Sequence, residues 1–231
     1  MTKQLPRRLD VCFPEIRNYV LEAQGEGYHF FPARSEISIG AGMERDVDLR
    51  VFVEDSETKA RSAGLHPWRL HLSGSANIEL PMRFAVIPRG AAVAYSSDLD
   101  GDGSPEFVIE NQRIRAVFTA QDGGRWLEFL WKDSGLNLLP EDGALAGRGA
   151  VRVSMENESG EARLILQGKD WIRVVRLRGT ATEMAVEQNS PLPAESLHTG
   201  KRNDVIFRVT RESPQLAKYA VERGEPSNSG R

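Results

Sequence analysis

Residues 107–139 read F-V-I-E-N-Q-R-I-R-A-V-F-T-A-Q-D-G-G-R-W-L-E-F-L-W-K-D-S-G-L-N-L-L. Ile114, Ala116 and Phe118 recur at every second position, Asp122-Gly123-Gly124 is a turn signal, and an aromatic-rich run follows from Trp126 to Trp131. A period of two separates inward from outward side chains along a strand, and Gly-Gly supplies the backbone freedom of a tight reversal. The segment predicts strand, turn, strand, and it sets an all-β reading for the chain around it.

The same alternation continues on both sides. Val47-Leu49-Val51-Val53, Trp68-Leu70-Leu72, Val151-Val153-Met155, Trp171-Arg173-Val175-Leu177 and Val205-Phe207-Val209 are its clearest runs, with turn signals at Gly40-Ala41-Gly42, Arg89-Gly90, Asp142-Gly143, Ser159-Gly160 and Gly168-Lys169-Asp170. About twelve strands are expected, too many for one open sheet, so the predicted fold is an all-β antiparallel β-sandwich. Short peripheral helices are expected at both ends. One follows Pro14 on the spacing Ile16, Tyr19, Val20, Ala23, and the other covers Pro214 to Arg223. The expected organisation is a segment at 1–30 with its helix, a sandwich over 31–212 with a subdomain boundary at 88–97, and a C-terminal helix and mobile tail at 213–231.

Immediately before the opening segment lies D-L-D-G-D-G-S-P-E, residues 98–106. Calcium takes six to eight oxygen ligands, and carboxylates at alternate positions of a glycine-bearing loop can supply them. Asp98, Asp100 and Asp102 stand at positions 1, 3 and 5, the carbonyl of Ser104 at 7 and Glu106 at 9. Closely spaced carboxylates repel one another unless a cation offsets them, and the competing account is a solvated Asp/Gly turn. Magnesium, with its small octahedral shell, suits such a flexible cage less well. An EF-hand is excluded because Ile109 occupies position 12, where that loop places its bidentate glutamate.

The loop resembles the calcium loops that join strands in FG-GAP and related extracellular β-repeats, departing from them in having Glu106 where aspartate is usual. The E-N strand at Glu110-Asn111, the G-G-R turn at 123–125 and the aromatic strand leading to Asn137-Leu138-Leu139 resemble the opening of galactose-mutarotase-like β-supersandwich domains. The likeness is greatest to the β-domain accompanying alpha-glucanotransferase-type glycoside hydrolases. This resemblance implies a large antiparallel sandwich with carbohydrate as its ligand class. The family's catalytic histidine and glutamate do not map here: His29, His66 and His71 precede the matching segment, and His198 has no recognisable flanking motif.

Trp126 and Trp131 are the candidate sugar-stacking residues, because flat amphipathic rings serve binding surfaces. On strict alternation they fall on opposite faces of one strand, which predicts that at least one looks outward. Trp68 and Trp171 offer the same chemistry, and core packing is the competing account for all four. Glu128, Glu141 and Asp142 are candidate members of a glycosidase pair, against exposed strand and turn positions. Arg163, Arg173, Arg176 and Arg178 form either a site for an acidic ligand or a solvated sheet face. His66 and His71 fall on opposite faces of a strand, which argues against joint metal ligation.

Thirty Lys+Arg against thirty-three Asp+Glu give a formal charge of -3, too balanced for broad attraction to nucleic acid. One cysteine, Cys12, excludes an internal disulfide and a multi-cysteine zinc site. No stretch approaches the ~18 apolar residues of a membrane span, and no apolar run of signal-peptide length is seen near the start. The calcium loop favours an extracellular or periplasmic location. Nucleophile-elbow, phosphate-cradling and H-E-x-x-H motifs are absent from the sequence, so the expected protein is a non-catalytic, carbohydrate-associated module. A mutarotase-like enzyme and a protein-binding adhesion module are the alternatives.

Overall fold

The computed structural model describes residues 17–25, 28–40, 43, 45–53, 64–140, 142–192, 200–202 and 205–223. Eighteen strands are described, more than the dozen or so legible from alternation alone. All the strand pairings are antiparallel. The chain divides into two compact units between Val86 and Ile87.

In the first unit, β1 (Arg17–Gln24), β3 (Arg34–Ile39), β5 (Gly64–Gly74) and β6 (Ile78–Val86) form a four-stranded sheet in the order β3-β1-β5-β6. Strands β2 (Tyr28–Phe31) and β4 (Arg50–Val53) form a separate pair. Its interior is aromatic, with Phe30 packed on Trp68 at 5.0 Å between ring centroids and Tyr28 edge-on to Phe84 at 4.4 Å. Trp68 is therefore a core residue.

The helix expected after Pro14 is not formed over its described part. Tyr19, Leu21 and Ala23 are buried at alternate positions of β1, which is hydrogen-bonded to β3 and β5 on its two sides. The helical reading took Val20 and passed over Leu21; two flanking strands settle the period at two.

In the second unit, β7 (Val93–Ser97), β8 (Glu106–Glu110), β9 (Ile114–Phe118), β10 (Trp126–Trp131) and β11 (Leu136–Asn137) form a meander, each strand pairing with the next. A seven-stranded sheet combines β12 (Arg152–Glu158), β13 (Glu161–Gln167), β14 (Ile172–Arg178), β15 (Glu183–Gln188), β16 (Gly200–Arg202), β17 (Val205–Ser213) and β18 (Leu216–Arg223). Its order is β12-β13-β14-β15-β18-β17-β16. The two sheets share one core: Ile109, Ala116, Phe118 and Phe129 from the first meet Leu164, Val175, Leu177, Met184, Phe207 and Tyr219 from the second. Each large apolar side chain so buried contributes about 1.5–3 kcal/mol.

The C-terminal helix expected over Pro214 to Arg223 is also replaced by strand. Ala217, Tyr219 and Val221 are buried in turn along β18, which lies between β15 and β17. Its Leu, Ala, Lys, Glu and Arg content favours helix in isolation, and placement inside a sheet overrides that preference. No helix occurs among the described residues, and the expected tail at 224–231 lies outside them.

Candidate metal centre

The acidic loop connects β7 to β8. Glu106 is the first residue of β8 and pairs with Ser97, the last residue of β7, so its carboxylate stands at the mouth of the hairpin beside Asp98. Glu106 is only 7% exposed, whereas Asp98 is half-buried and Asp100 is exposed. One Glu106 oxygen accepts the Leu99 N–H at 2.7 Å.

The loop folds around its own carboxylates. Asp98 accepts N–H groups from Gly101 at 2.7 Å and Gly103 at 3.2 Å, and Asp100 accepts one from Asp102 at 3.1 Å. Gly101 and Gly103 lie at φ +82° and +90°, where a side chain would be strained, so the glycines permit this wrapping. Carboxylate oxygens of Asp98, Asp100 and Glu106 lie within 4.8 Å of one another. The three carboxylates are close enough together to share one metal ion.

Of the five residues read from the sequence as the metal set, the structure brings together Asp98, Asp100 and Glu106. Asp102 is exposed and accepts the Ser104 N–H at 2.7 Å. Ser104 entered the reading through its carbonyl, which the carboxylate grouping does not include.

Trp126 and Trp131 are both core residues, 0% and 3% exposed, contrary to the expectation that one looks outward. A register shift between Trp126 and Glu128 is the reason: the irregularity inserts one residue and brings Trp126 to the same side as Phe129 and Trp131. Trp126 stacks on Phe118 at 5.5 Å, meets Tyr219 edge-on at 5.0 Å and donates its indole N–H to the Glu128 carbonyl at 2.7 Å. Neither ring offers a flat face to a sugar. Trp171 is partly buried, with the Arg173 guanidinium 4.8 Å from its ring centroid.

The motif residues that carried the family resemblance are structural fixings. Asn111, fully buried, donates to the carbonyls of Arg178 at 2.8 Å and Ala181 at 2.9 Å and accepts the N–H groups of Arg113 and Ile114, each at 2.8 Å. Gly123 has φ +66°, and a Cβ there would lie 2.4 Å from the Gly147 Cα, so only glycine fits. The Gly124 carbonyl accepts from the buried guanidinium of Arg173 at 3.0 Å.

Arg173 departs from the other arginines read beside it. It is 2% exposed and faces the core, and desolvation lowers its pKa to about 10. Arg163 and Arg178 pair with Glu161, and Arg176 pairs with Glu187 at 2.6 Å, as expected of a solvated sheet face.

Sequence reading missed one buried polar group. Glu110 is ion-paired with Lys132 and accepts from the Tyr95 hydroxyl at 2.5 Å, while Lys132 also donates to the Asn111 carbonyl at 2.6 Å. Burial pushes the Lys132 pKa down and the Tyr95 pKa up. Glu128, 3.1 Å from Arg115, has its pKa raised mainly by desolvation. Asp142 is exposed in a turn, and Glu141, His198 and Cys12 lie outside the described residues. His66 meets the Tyr28 ring at 5.8 Å, and His71 shares a hydrogen bond with Asn77 at 2.5 Å.

No family model matches the chain, and no curated protein matches it. No helix among the described residues is long and apolar enough to cross a membrane. Fold and site together define an antiparallel β-sandwich protein with a carboxylate hairpin suited to a metal ion.

Proposed function

We propose that this chain is a non-catalytic, carbohydrate-associated β-sandwich module whose acidic hairpin holds a structural calcium ion. The observation that carries the metal reading is the convergence of Asp98, Asp100 and Glu106 oxygens within 4.8 Å at a hairpin mouth. Three carboxylates so close are held together more cheaply by a divalent cation than by solvent, and the remaining coordination positions suit carbonyl oxygens and water. An ion there fixes the β7–β8 connection, which makes its role one of stability. Carbohydrate association is supported by the sequence resemblance over 107–139.

The test of the metal reading is a thermal melt of chelator-stripped protein with and without calcium. A ligand held only by the folded state raises its stability, by about 2.7 kcal/mol at a concentration one hundred times Kd.

One observation favours an enzymatic reading: the raised pKa of Glu128 is a property wanted in a general acid. Against it, the Glu128 carboxylate is held by the Arg115 guanidinium at 3.1 Å, a pairing that favours its charged form over the protonated acid. A polarimetric anomerisation screen separates the readings.

A further inference from the structure

The second unit carries a cleft of about 390 Å³ lined by Arg113, Trp131, Asp133, Thr182, Val221 and Glu222. Four chain segments meet there: the β8–β9 turn, the end of β10 with its turn, the residues entering β15, and the end of β18. We propose that this cleft binds one residue of a neutral sugar. The proposal rests on the carbohydrate-associated reading above and gives it a location.

The rim is built rather than incidental. Asn111, two residues from Arg113, ties the β8–β9 turn to the carbonyls of Arg178 and Ala181, next to Thr182. The Lys132 N–H donates to the Arg113 carbonyl at 2.9 Å, and the Val221 N–H donates to the Thr182 carbonyl at 2.9 Å. Lys132, between Trp131 and Asp133, is held by Glu110 and the Asn111 carbonyl. All four segments are thus fixed by hydrogen bonds before any ligand arrives, which lowers the ordering cost of binding.

The chemistry of the lining selects the ligand class. Arg113 and Asp133 make no ion pair among the described residues, and Glu222 is partly neutralised by Arg208 at 3.3 Å. One guanidinium beside one free and one paired carboxylate leaves the cleft near electrical balance, which favours neither an anion nor a cation. A hydroxyl both donates and accepts, so neighbouring hydroxyls can donate to Asp133 or Glu222 and accept from Arg113. Trp131 and Val221 are core residues that close the floor of the cleft from beneath, so recognition falls to the polar side chains of its rim. The indole Nε1 of Trp131 is buried and has no hydrogen-bond partner among the described residues. The volume lies at the small end of ligand sites, as one sugar ring requires.

Strand β8 separates this cleft from the metal loop. It runs from Glu106 at the loop to Glu110 beside Asn111, about 13 Å at strand rise. The cation therefore does not touch the sugar.

The test is a glycan-array screen of the full chain, followed by titration of the ¹⁵N-labelled protein with glucose, galactose, mannose and N-acetylglucosamine. Expected is array binding together with a saturable shift of the Trp131 indole resonance for at least one monosaccharide. Arg113→Ala and Asp133→Asn, exposed turn positions, each weaken that binding about tenfold with the remaining amide spectrum retained. Array binding that survives both substitutions, or that leaves Trp131 unshifted, overturns the cleft while carbohydrate association stands. A blank array overturns both.

Discussion

Arg173 donates to the carbonyl of Gly124 across the sandwich at 3.0 Å, and the same Nη1 lies 3.2 Å from the Leu145 carbonyl. Its Nε donates to Gln188 at 3.0 Å. One buried guanidinium therefore fastens the G-G-R turn and the loop through Leu145 to the seven-stranded sheet. Arg173→Ala leaves three acceptors without this donor, each worth about 1–3 kcal/mol when buried, offset in part by releasing a desolvated cation. A net loss of roughly 3 kcal/mol in urea denaturation is expected. Arg173→Lys also destabilises, because one ammonium cannot reproduce the fork geometry.

Lys132 and Glu110 make a second test. Breaking a buried ion pair by removing one partner costs about 3–5 kcal/mol, because a charge is left uncompensated. Lys132→Met is expected to fall in that range. The double variant Glu110→Gln, Lys132→Met recovers part of the loss, measured as a coupling energy in a double-mutant cycle; strict additivity would refute the pair's role.

Glu128 sets a pH dependence. Desolvation raises its folded pKa above 4.5, so between that value and the raised one the native state holds more protons than the unfolded chain. Stability attributable to Glu128 is present below pH 4.5 and declines as pH rises through the folded pKa. Glu128→Gln, which stays neutral, is expected to gain on the parent protein as pH rises through that window. A difference independent of pH would argue against a desolvated carboxyl.

Legibility of the fold from sequence follows the strictness of alternation. Ile114-Ala116-Phe118 shows β9 directly, because apolar residues recur at every second position of one short run. Strand β18 is concealed by helix-favouring residues, and only its position between β15 and β17 reveals it. The inward turn of Trp126 depends on a register shift against β9, a relation between strands that no single segment displays. Arg173 is hidden among Arg176 and Arg178, since charge predicts exposure unless the acceptors that justify burial are known. The acidic hairpin was legible because its ligands come from one short segment. The cleft was not, because its lining comes from four.

Removal of the metal ligands gives the specific control. Asp98→Asn and Glu106→Gln keep the side-chain shapes while removing charge, and each is expected to abolish most of the calcium response in thermal melts. Asp102→Asn, outside the converging triad, is expected to change it less. Equal loss at all three positions would point to general charge reduction.

The most direct test is the melting temperature of chelator-stripped protein, recorded with excess calcium and with EDTA. At a calcium concentration about one hundred times Kd, the stabilisation of about 2.7 kcal/mol corresponds to a rise of about 5–10 °C for a chain of this size. That rise, present in the parent protein and absent from Asp98→Asn, is the expected result. Identical melting temperatures in calcium and EDTA would contradict a metal-holding hairpin.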